Sequence, residues 1–403
     1  MHFFSQSKNP SPSIWPLLIA SMVIQSGFGT ILPLLPLFVH DRGMPLTWLG
    51  FMAALYALIA FLGQLILGPL SDRLGRRPLL IVGTILSALG TALFLLPVAP
   101  VYYLLFRSLQ GMGAAAFLPA ANALVADYVD EDRRGRAYAL MSSFFMAGFA
   151  VGPMIGGLAT ATGRMATPFL VGTGLDVAAL VAIIVGVEGV PRQSRFHHVA
   201  QSIPKEAIPW RGLVAWLFIN FGWMGLGGMY DVSWSIYMRN IGSGPVLISL
   251  SWTLFAVPYL LFNFLAGRLA DSPTLRPLLI YGGAVLNGII VLLYTLSHFP
   301  WLSIALSSCE AVAMSLITPA LNAGVMGVAT KTTRGRIQGI FQSAGTLGAF
   351  ALALLSGYLL PYGASTTFRA GTSVLFLFVA LAFLWQRATG TSFLDQRPSL
   401  GPD

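Results

Sequence analysis

A few charged side chains lie within long apolar stretches of this sequence, and the presence of a charge in such a stretch needs an explanation. Arg107, Asp176, Asp231 and Glu310 each have almost no charged neighbours within their stretch. A charge near the centre of a bilayer costs at least ~2.5 kcal/mol, so each group must pair, face water or be neutral. An acid that changes partner or exposure can take up a proton and release it again. We therefore expect proton transfer at Glu310 or Asp231.

The residues near these acids indicate which kind of molecule we expect to bind there. Aromatic residues flank Asp231, a combination that suits an amphipathic or cationic organic molecule. Glu310 and Arg107 lie at similar depths on two spans that are equivalent in the repeat, so both are expected to approach one central cavity. Asp176 is expected to be structural. The cavity is predicted to include Gln25, Gln110, Asn122, Asn220, Trp223, Tyr230, Trp234 and Asn322.

The composition places these residues in a membrane. Of 403 residues, 56% are hydrophobic and 9% are charged, whereas a soluble domain has roughly 25% charged residues. Several uncharged runs exceed the ~20 residues that cross a bilayer as a helix. Lipid offers no partner to an unpaired backbone group, so the spans must be helical. The predicted fold is an all-α membrane protein.

Charge clusters and Gly/Pro turns divide the apolar stretches into twelve predicted spans, six in each half. We expect two pseudo-symmetric six-helix bundles at residues 1–187 and 211–388, a cytoplasmic linker at 188–210 and a cytoplasmic tail at 389–403. The predicted spans are 14–39, 46–69, 78–97, 100–126, 136–161, 166–188, 211–237, 244–267, 276–297, 301–328, 337–361 and 369–386.

An internal repeat supports two similar halves. The segment from Gly68 to Asp72 recurs 199 positions later as Gly267 to Asp271, with Leu and Asp in the same places. The Arg-Gly-Arg that begins at Arg134 recurs 200 positions later at Arg334. Such repeats are typical of secondary transporters, which hold their substrate between the two copies.

The basic residues indicate the orientation. On the side that holds both termini we count 18 of the 23 Lys and Arg residues, against four in the opposite loops. This positive-inside bias predicts that both termini are cytoplasmic. It also accounts for the net charge of +9 without a nucleic-acid partner.

Several kinds of chemistry are missing from the sequence. It contains no G-x-x-x-x-G-K-[ST] phosphate loop and no H-E-x-x-H, C-x-x-C or G-x-S-x-G motif. ATP hydrolysis is therefore not expected as the energy source, and an enzyme is not expected. We expect no cofactor and no metal.

Four motifs resemble the major facilitator superfamily, and within it the twelve-span drug:proton antiporters. The loop after the second span, from Gly68 to Arg77, is similar to the G-x-L-a-D-r-x-G-r-k signature. The fourth span has Arg107-x-x-Gln110-Gly, the first has the glycine and proline pattern Gly27…Pro33…Pro36, and the fifth has an antiporter-like glycine strip. That strip consists of Gly148, Gly152, Pro153, Gly156 and Gly157.

The resemblance implies roles for these residues. It implies proton coupling at Arg107, in addition to the acids Glu310 and Asp231 inferred from their place in apolar spans, and a conformational gate at the cytoplasmic end of the second span. Arg73, Arg76 and Arg77 are expected to cross-link to acids such as Asp127 or Glu131. The strip and a bend at Pro153 are expected in the first half only. The gate residues are Gly68, Asp72, Arg73, Gly75, Arg76, Arg77 and, in the second copy, Asp271.

The resemblance implies a secondary transporter that exports hydrophobic or amphipathic molecules, such as drugs, by alternating access. Its energy source would be the proton gradient. Its partners would be a small-molecule substrate, protons and membrane lipids, and it would be a monomer in the inner (plasma) membrane. The alternatives are a proton-coupled importer or exporter of a sugar or other metabolite, and a lipid or glycolipid flippase of the same fold. A receptor or enzyme would not need the paired cytoplasmic motifs.

Overall fold

The structure is a computed structural model that describes residues 13–130, 133–189, 207–330 and 333–391. It does not describe the side chains at 68, 69 and 71–73. In the described residues every regular element is helical. This confirms the predicted all-helical class.

Thirteen α-helices follow one another in this part of the chain. A π-helical turn, Leu278–Gly282, leads into the tenth helix, and a 3-10 turn, Leu360–Tyr362, separates the last two helices. The helices are α1 Trp15–Ile31, α2 Leu35–His40, α3 Leu46–Leu74, α4 Arg76–Leu93, α5 Val101–Tyr128, α6 Arg134–Thr160, α7 Thr167–Gly186, α8 Trp210–Asn240, α9 Pro245–Ala270, α10 Gly283–Tyr294, α11 Pro300–Val328, α12 Arg334–Leu359 and α13 Ala364–Thr389.

Ten helices of the described residues are long and apolar enough to cross a membrane. The other two apolar segments, Trp15–Ile31 and Leu278–Tyr294, are shorter. The protein is therefore a membrane protein, while the count of twelve spans and the side of the termini stay predictions.

Several predicted spans differ in their bounds from the observed helices, and the first and the last differ for identifiable reasons. The predicted span 14–39 is interrupted after Ile31, and a short helix resumes at Leu35. Pro33 and Pro36 have no N–H to donate, which removes two bonds of the helix ladder. The last helix begins at Ala364, ahead of the predicted 369, because Arg369 lies inside the helix rather than at its end.

The helices group into two compact units. The first unit comprises residues 13–32 and the described residues from 58 to 189. The second comprises Pro33–Ala57 and the described residues from 207 onward. In the first unit α1 packs on α6 and α7, and α4 packs on α5 and α7. In the second unit α8 packs on α12 and α13, and α10 on α11 and α13. The repeat is therefore visible as one packing pattern used twice.

Residues Pro33–Ala57 belong to the first repeat by sequence but pack with the second unit. The hydroxyl of Ser235 donates to the carbonyl oxygen of Pro33 at 2.5 Å. Arg239 forms an ion pair with Asp41. Most of the predicted linker, 190–206, and residues 392–403 of the predicted tail lie outside the described residues.

The glycine strip of α6 lies directly against α1. A β-carbon at Gly148, Gly152 or Gly156 would lie 2.3, 2.5 or 2.0 Å from a carbonyl oxygen of α1. Positions four apart share one face of a helix, so the strip forms a continuous bare surface. It lets the two backbones approach more closely than side chains would allow. The helix continues through Pro153 and ends at Thr160.

In the second unit the equivalent helices, α8 and α12, also approach each other closely, but through a partly different set of glycines. Gly348 of α12 keeps the role of Gly148, since its β-carbon would lie 2.0 Å from the carbonyl oxygen of Phe221. Further along, the glycines are on α8, where Gly228 faces the backbone of Ala349. The strip on the fifth span belongs to one half, as expected, but the close approach occurs in both.

Candidate functional site

Glu310 on α11 is the centre of a buried polar cluster in the second unit. Its side chain is 0% exposed. The hydroxyl of Tyr230 on α8 donates to Oε2 at 2.7 Å, and the hydroxyl of Tyr294 on α10 also donates to Oε2. The amide nitrogen of Asn287 donates to Oε1 at 3.1 Å. All three donors are neutral groups.

Aromatic rings surround this carboxyl group. The Tyr230 ring lies 5.5 Å from that of Phe368, and the Trp234 ring lies 5.2 Å from that of Tyr294. Hydrogen bonds fix the rings, because Trp234 donates to Ser251 at 2.8 Å and Tyr237 donates to the carbonyl oxygen of Tyr294 at 2.8 Å. The acid is therefore surrounded by aromatic rings, and hydrogen bonds orient those of Trp234 and Tyr237.

The structure connects the aromatic residues of α8 with Glu310. Tyr230, Trp234 and Tyr237 are four and three residues apart, so they share a helix face. Asp231 is one residue further along, which turns it by ~100° from Tyr230, and it is half-buried. The aromatic residues that the sequence placed beside Asp231 thus contact the other candidate acid through Tyr230.

Sequence reasoning missed Asn287 and Tyr294. They are seven residues apart on α10, so they share a face. Asn287 stands 200 positions after Ser87, and Glu310 stands 200 positions after Gln110. A search for polar residues at repeat-equivalent positions would have found Asn287 but not Tyr294, whose equivalent is Phe94.

The first unit contains a second buried polar cluster. Arg107 donates from Nη1 to Oε1 of Gln110 at 2.8 Å, and Nε2 of Gln110 donates to the hydroxyl of Thr91 at 3.0 Å. The hydroxyls of Thr91 and Ser87 each donate to Oδ2 of Asp176 at 3.3 Å. Arg107, Gln110 and Asp176 are 2%, 3% and 1% exposed. Asp176 is thus part of a network that includes Arg107.

The remaining cavity candidates have different surroundings. Asn220 and Trp223 are buried within the second unit, where Asn220 donates to the carbonyl oxygen of Phe341 at 2.7 Å. Asn122 and Asn322 are exposed and Gln25 is half-buried. Their assignment to a substrate cavity stays a prediction.

Comparison with known protein families identifies the superfamily of this chain. The sequence profile of the Major Facilitator Superfamily matches residues 17–234 and 216–401. This chain belongs to that superfamily. The resemblance found in the four motifs is therefore confirmed.

Similar members of the superfamily are named for drug resistance. The chain is 24% identical over 400 residues to multidrug resistance protein 2 of Bacillus subtilis, covering 94% of this chain and 97% of that protein. It is 24% identical over 359 residues to the quinolone resistance protein NorA of Staphylococcus aureus, covering 86% and 89%.

Solved superfamily structures have the same fold. A bacterial homologue of the human lysosomal transporter Spinster, in an inward-facing and occupied conformation, matches with a TM-score of 0.74 and 14% identity, covering 96% of this chain and 98% of that one. The human organic anion transporter MFSD10 matches with a TM-score of 0.65 and 17% identity, covering 92% and 98%.

The superfamily signature after the second span is described in part. Gly75 has φ +99°, a conformation that favours glycine, directly before α4. Arg76 forms an ion pair with Asp127 of α5, one of the partners that the sequence suggested. Arg77 donates to the carbonyl oxygen of Ile184 at 2.7 Å. These arginines tie together the ends of α4, α5 and α7.

The other predicted gate residues contribute less to this description. Asp271 is exposed at the end of α9. The structure does not describe the side chains at Gly68, Asp72 and Arg73. A gating role for the whole set stays a prediction.

Proposed function

We propose that this protein is a proton-driven exporter of hydrophobic or amphipathic small molecules in the plasma membrane. It works as an antiporter by alternating access, with twelve spans and both termini in the cytoplasm. It acts as a monomer, with no cofactor and no enzymatic step. The observation that carries the proposal is the fully buried carboxyl group of Glu310, held by three neutral donors.

Such a carboxyl group can act as the proton carrier. A buried carboxylate without a cation beside it is costly, and binding a proton removes the charge. The side chain of Glu310 can accept bonds from Tyr230, Tyr294 and Asn287 when charged, and one of its oxygens can donate when protonated. A rearrangement of α8 against α10 and α11 would alter these bonds and change its proton affinity.

The aromatic cluster supports an organic substrate. Tyr230 and Trp234 present large rings beside the acid, and such rings bind apolar and cationic molecules by stacking and cation–π contact. The bacterial relatives named for multidrug and quinolone resistance support the same substrate class. Substrate binding near Tyr230 would disturb its bond to Glu310, which links substrate and proton.

A sugar carrier receives less support from the polar side chains. Asn220 is occupied by the carbonyl oxygen of Phe341. Asn322 donates to the carbonyl oxygen of Thr318 on its own helix at 3.1 Å. Each of these amide nitrogens therefore already uses one of its two hydrogens within the protein.

Transport by the purified chain in proteoliposomes tests the proposal. An imposed pH gradient should drive ethidium against its concentration gradient, with counterflow of protons reported by an enclosed pH dye. Glu310→Gln should abolish this uphill flux and spare ethidium exchange between equal pools, because the amide keeps the size of the side chain but cannot titrate. Asp130→Asn, a carboxyl-to-amide change in the exposed turn before α6, is the matched control and should transport normally.

The outcomes separate the possible functions. Uphill flux that is unaffected in Glu310→Gln would reject Glu310 as the proton carrier. Flux of labelled sugars or of a fluorescent phospholipid, without flux of ethidium and neutral drugs, would reject drug export in favour of the sugar carrier or the flippase.

A further inference from the structure

We infer that Asp176 is a second proton-binding group of this transporter, connected to Arg107 through Thr91 and Gln110. The inference rests on the proposed transport function and adds a carrier in the first unit to Glu310 in the second. It assigns Asp176 a functional role in place of the structural role that the sequence suggested.

Which group donates and which accepts in each hydrogen bond between Arg107 and Asp176 follows from the guanidinium group of Arg107. A guanidinium group has no acceptor, so the amide oxygen of Gln110 must face Arg107. The amide nitrogen of Gln110 then faces Thr91, 3.0 Å from its hydroxyl oxygen. The Thr91 hydroxyl thereby accepts one bond, and its own hydrogen is left to donate to Oδ2 of Asp176. Three successive donors therefore point from Arg107 toward the carboxyl group.

Protonation of Asp176 would reverse the last of these bonds. A protonated Oδ2 becomes a donor, and the Thr91 hydroxyl oxygen has a second lone pair to receive it. The Thr91 hydrogen can then turn to the backbone carbonyl four residues earlier, a bond that threonine commonly makes in helices. The network thus has one arrangement for each protonation state, and the two differ at Thr91.

No cation of the described residues lies beside Asp176 to hold it permanently charged. Helix α1 carries no ionisable side chain from Trp15 to Ile31 and meets the carboxyl group at Gly27. On α4 the facing groups are Ser87 and Thr91, and its arginines lie at its beginning, ~15 Å away along the helix. The ionisable groups of α6, Arg134, Arg136 and Tyr138, lie ~20 Å from the part of α6 that faces Gly27. Arg107 of α5 reaches Asp176 through Gln110 and Thr91.

The repeat gives this acid a place equivalent to that of Glu310. Ser87 and Asn287 are equivalent by 200 positions, and each donates to the acid of its own unit. Position 176 corresponds to Phe376, whose ring lies against Gly288 on α10. Position 310 corresponds to Gln110. Each unit therefore has an equivalent polar cluster with one acid at its centre. The acid lies on α7 in the first unit and on α11 in the second.

Infrared difference spectroscopy of the purified full chain in lipid tests the inference without depending on transport. A protonated carboxyl group gives a carbonyl band separate from that of the carboxylate. The wild type should show such a band that disappears as pH is raised, and Asp176→Asn should lose it while Glu310→Gln keeps it. A wild-type difference spectrum that Asp176→Asn leaves unchanged would overturn the inference.

Two variants keep the acid and test the connection to Arg107. Thr91→Val removes the linking hydroxyl and should shift the pH midpoint of the Asp176 band, whereas Thr173→Val on α7, whose hydroxyl bonds its own helix, should not. An unshifted midpoint in Thr91→Val would disprove the connection.

The same proteoliposomes give a second readout. The ethidium gradient at which net flux reverses under a fixed pH gradient reports the protons moved per cycle, and Asp176→Asn should lose one. Absence of coupled flux in the wild type would reject the proposed function, while the infrared result would still decide whether Asp176 binds a proton. Unchanged proton number and pH profile in a folded Asp176→Asn protein would reject the role of Asp176 in transport.

Discussion

The hydroxyl of Ser235 donates to the carbonyl oxygen of Pro33 at 2.5 Å, across 202 residues of sequence. The bond lies where the first predicted span is interrupted between α1 and α2. Proline disrupts the helix ladder there, and a side chain of α8 satisfies a backbone oxygen at the break. The bond holds the segment that begins at Pro33 within the second unit.

Ser235→Ala should lower the free energy of unfolding by about 0.6–1 kcal/mol, the usual contribution of such a bond in a membrane protein. Thermal unfolding in detergent measures the change. Ser343→Ala is the control, because the Ser343 hydroxyl makes a solvent-exposed bond to Gly339 of its own helix. Equal stability of the two variants would show that the Ser235 bond contributes nothing.

Tyr294→Phe should destabilise the protein by about 1–2 kcal/mol, because it removes a hydrogen bond to a buried carboxyl group and keeps the ring. It should also reduce proton-driven ethidium flux through the change at Glu310. Tyr358→Phe, at a side chain 65% exposed, is the matched control for both measurements. A Tyr294→Phe protein with wild-type stability and flux would contradict the placement of Tyr294 in the cluster.

Gly156→Ala should cost about 1–3 kcal/mol, because the new methyl group would overlap the carbonyl oxygen of Thr30 and force α1 and α6 apart. Gly174→Ala is the control on α7, since a β-carbon at that position would meet nothing within 4 Å. Urea or thermal unfolding compares them. Tolerance of alanine at position 156 would disprove close contact between the two helices.

Gly75→Ala should cost about 1–2 kcal/mol, because a β-carbon is strained at φ +99°. Gly135→Ala lies inside α6, where nothing within 4 Å opposes the methyl group and alanine is the better helix former, so it should be neutral or stabilising. Thermal unfolding of the two variants measures both changes. Opposite signs of the two stability changes would support the turn at Gly75, and equal ones would argue against it.

The sequence determined the class of fold and the family. Apolar stretches of this length must be helical in lipid because a lone segment has no other way to satisfy its backbone. The four motifs between Gly27 and Gly157 were enough to indicate the superfamily. The importance of the Gly148–Gly156 strip could also be predicted, since its spacing of four residues defines a helix face.

Only the tertiary structure decided which buried polar groups meet. Successive residues of a helix point ~100° apart. The sequence therefore could not show whether the aromatic residues of α8 contact Asp231 or Glu310. Contacts between helices, such as Asn287 with Glu310 and Thr91 with Asp176, depend on how the helices are rotated and how closely they pack. Hydrophobicity sets where a helix lies in the membrane, but helix rotation and packing decide which side chains share a bond.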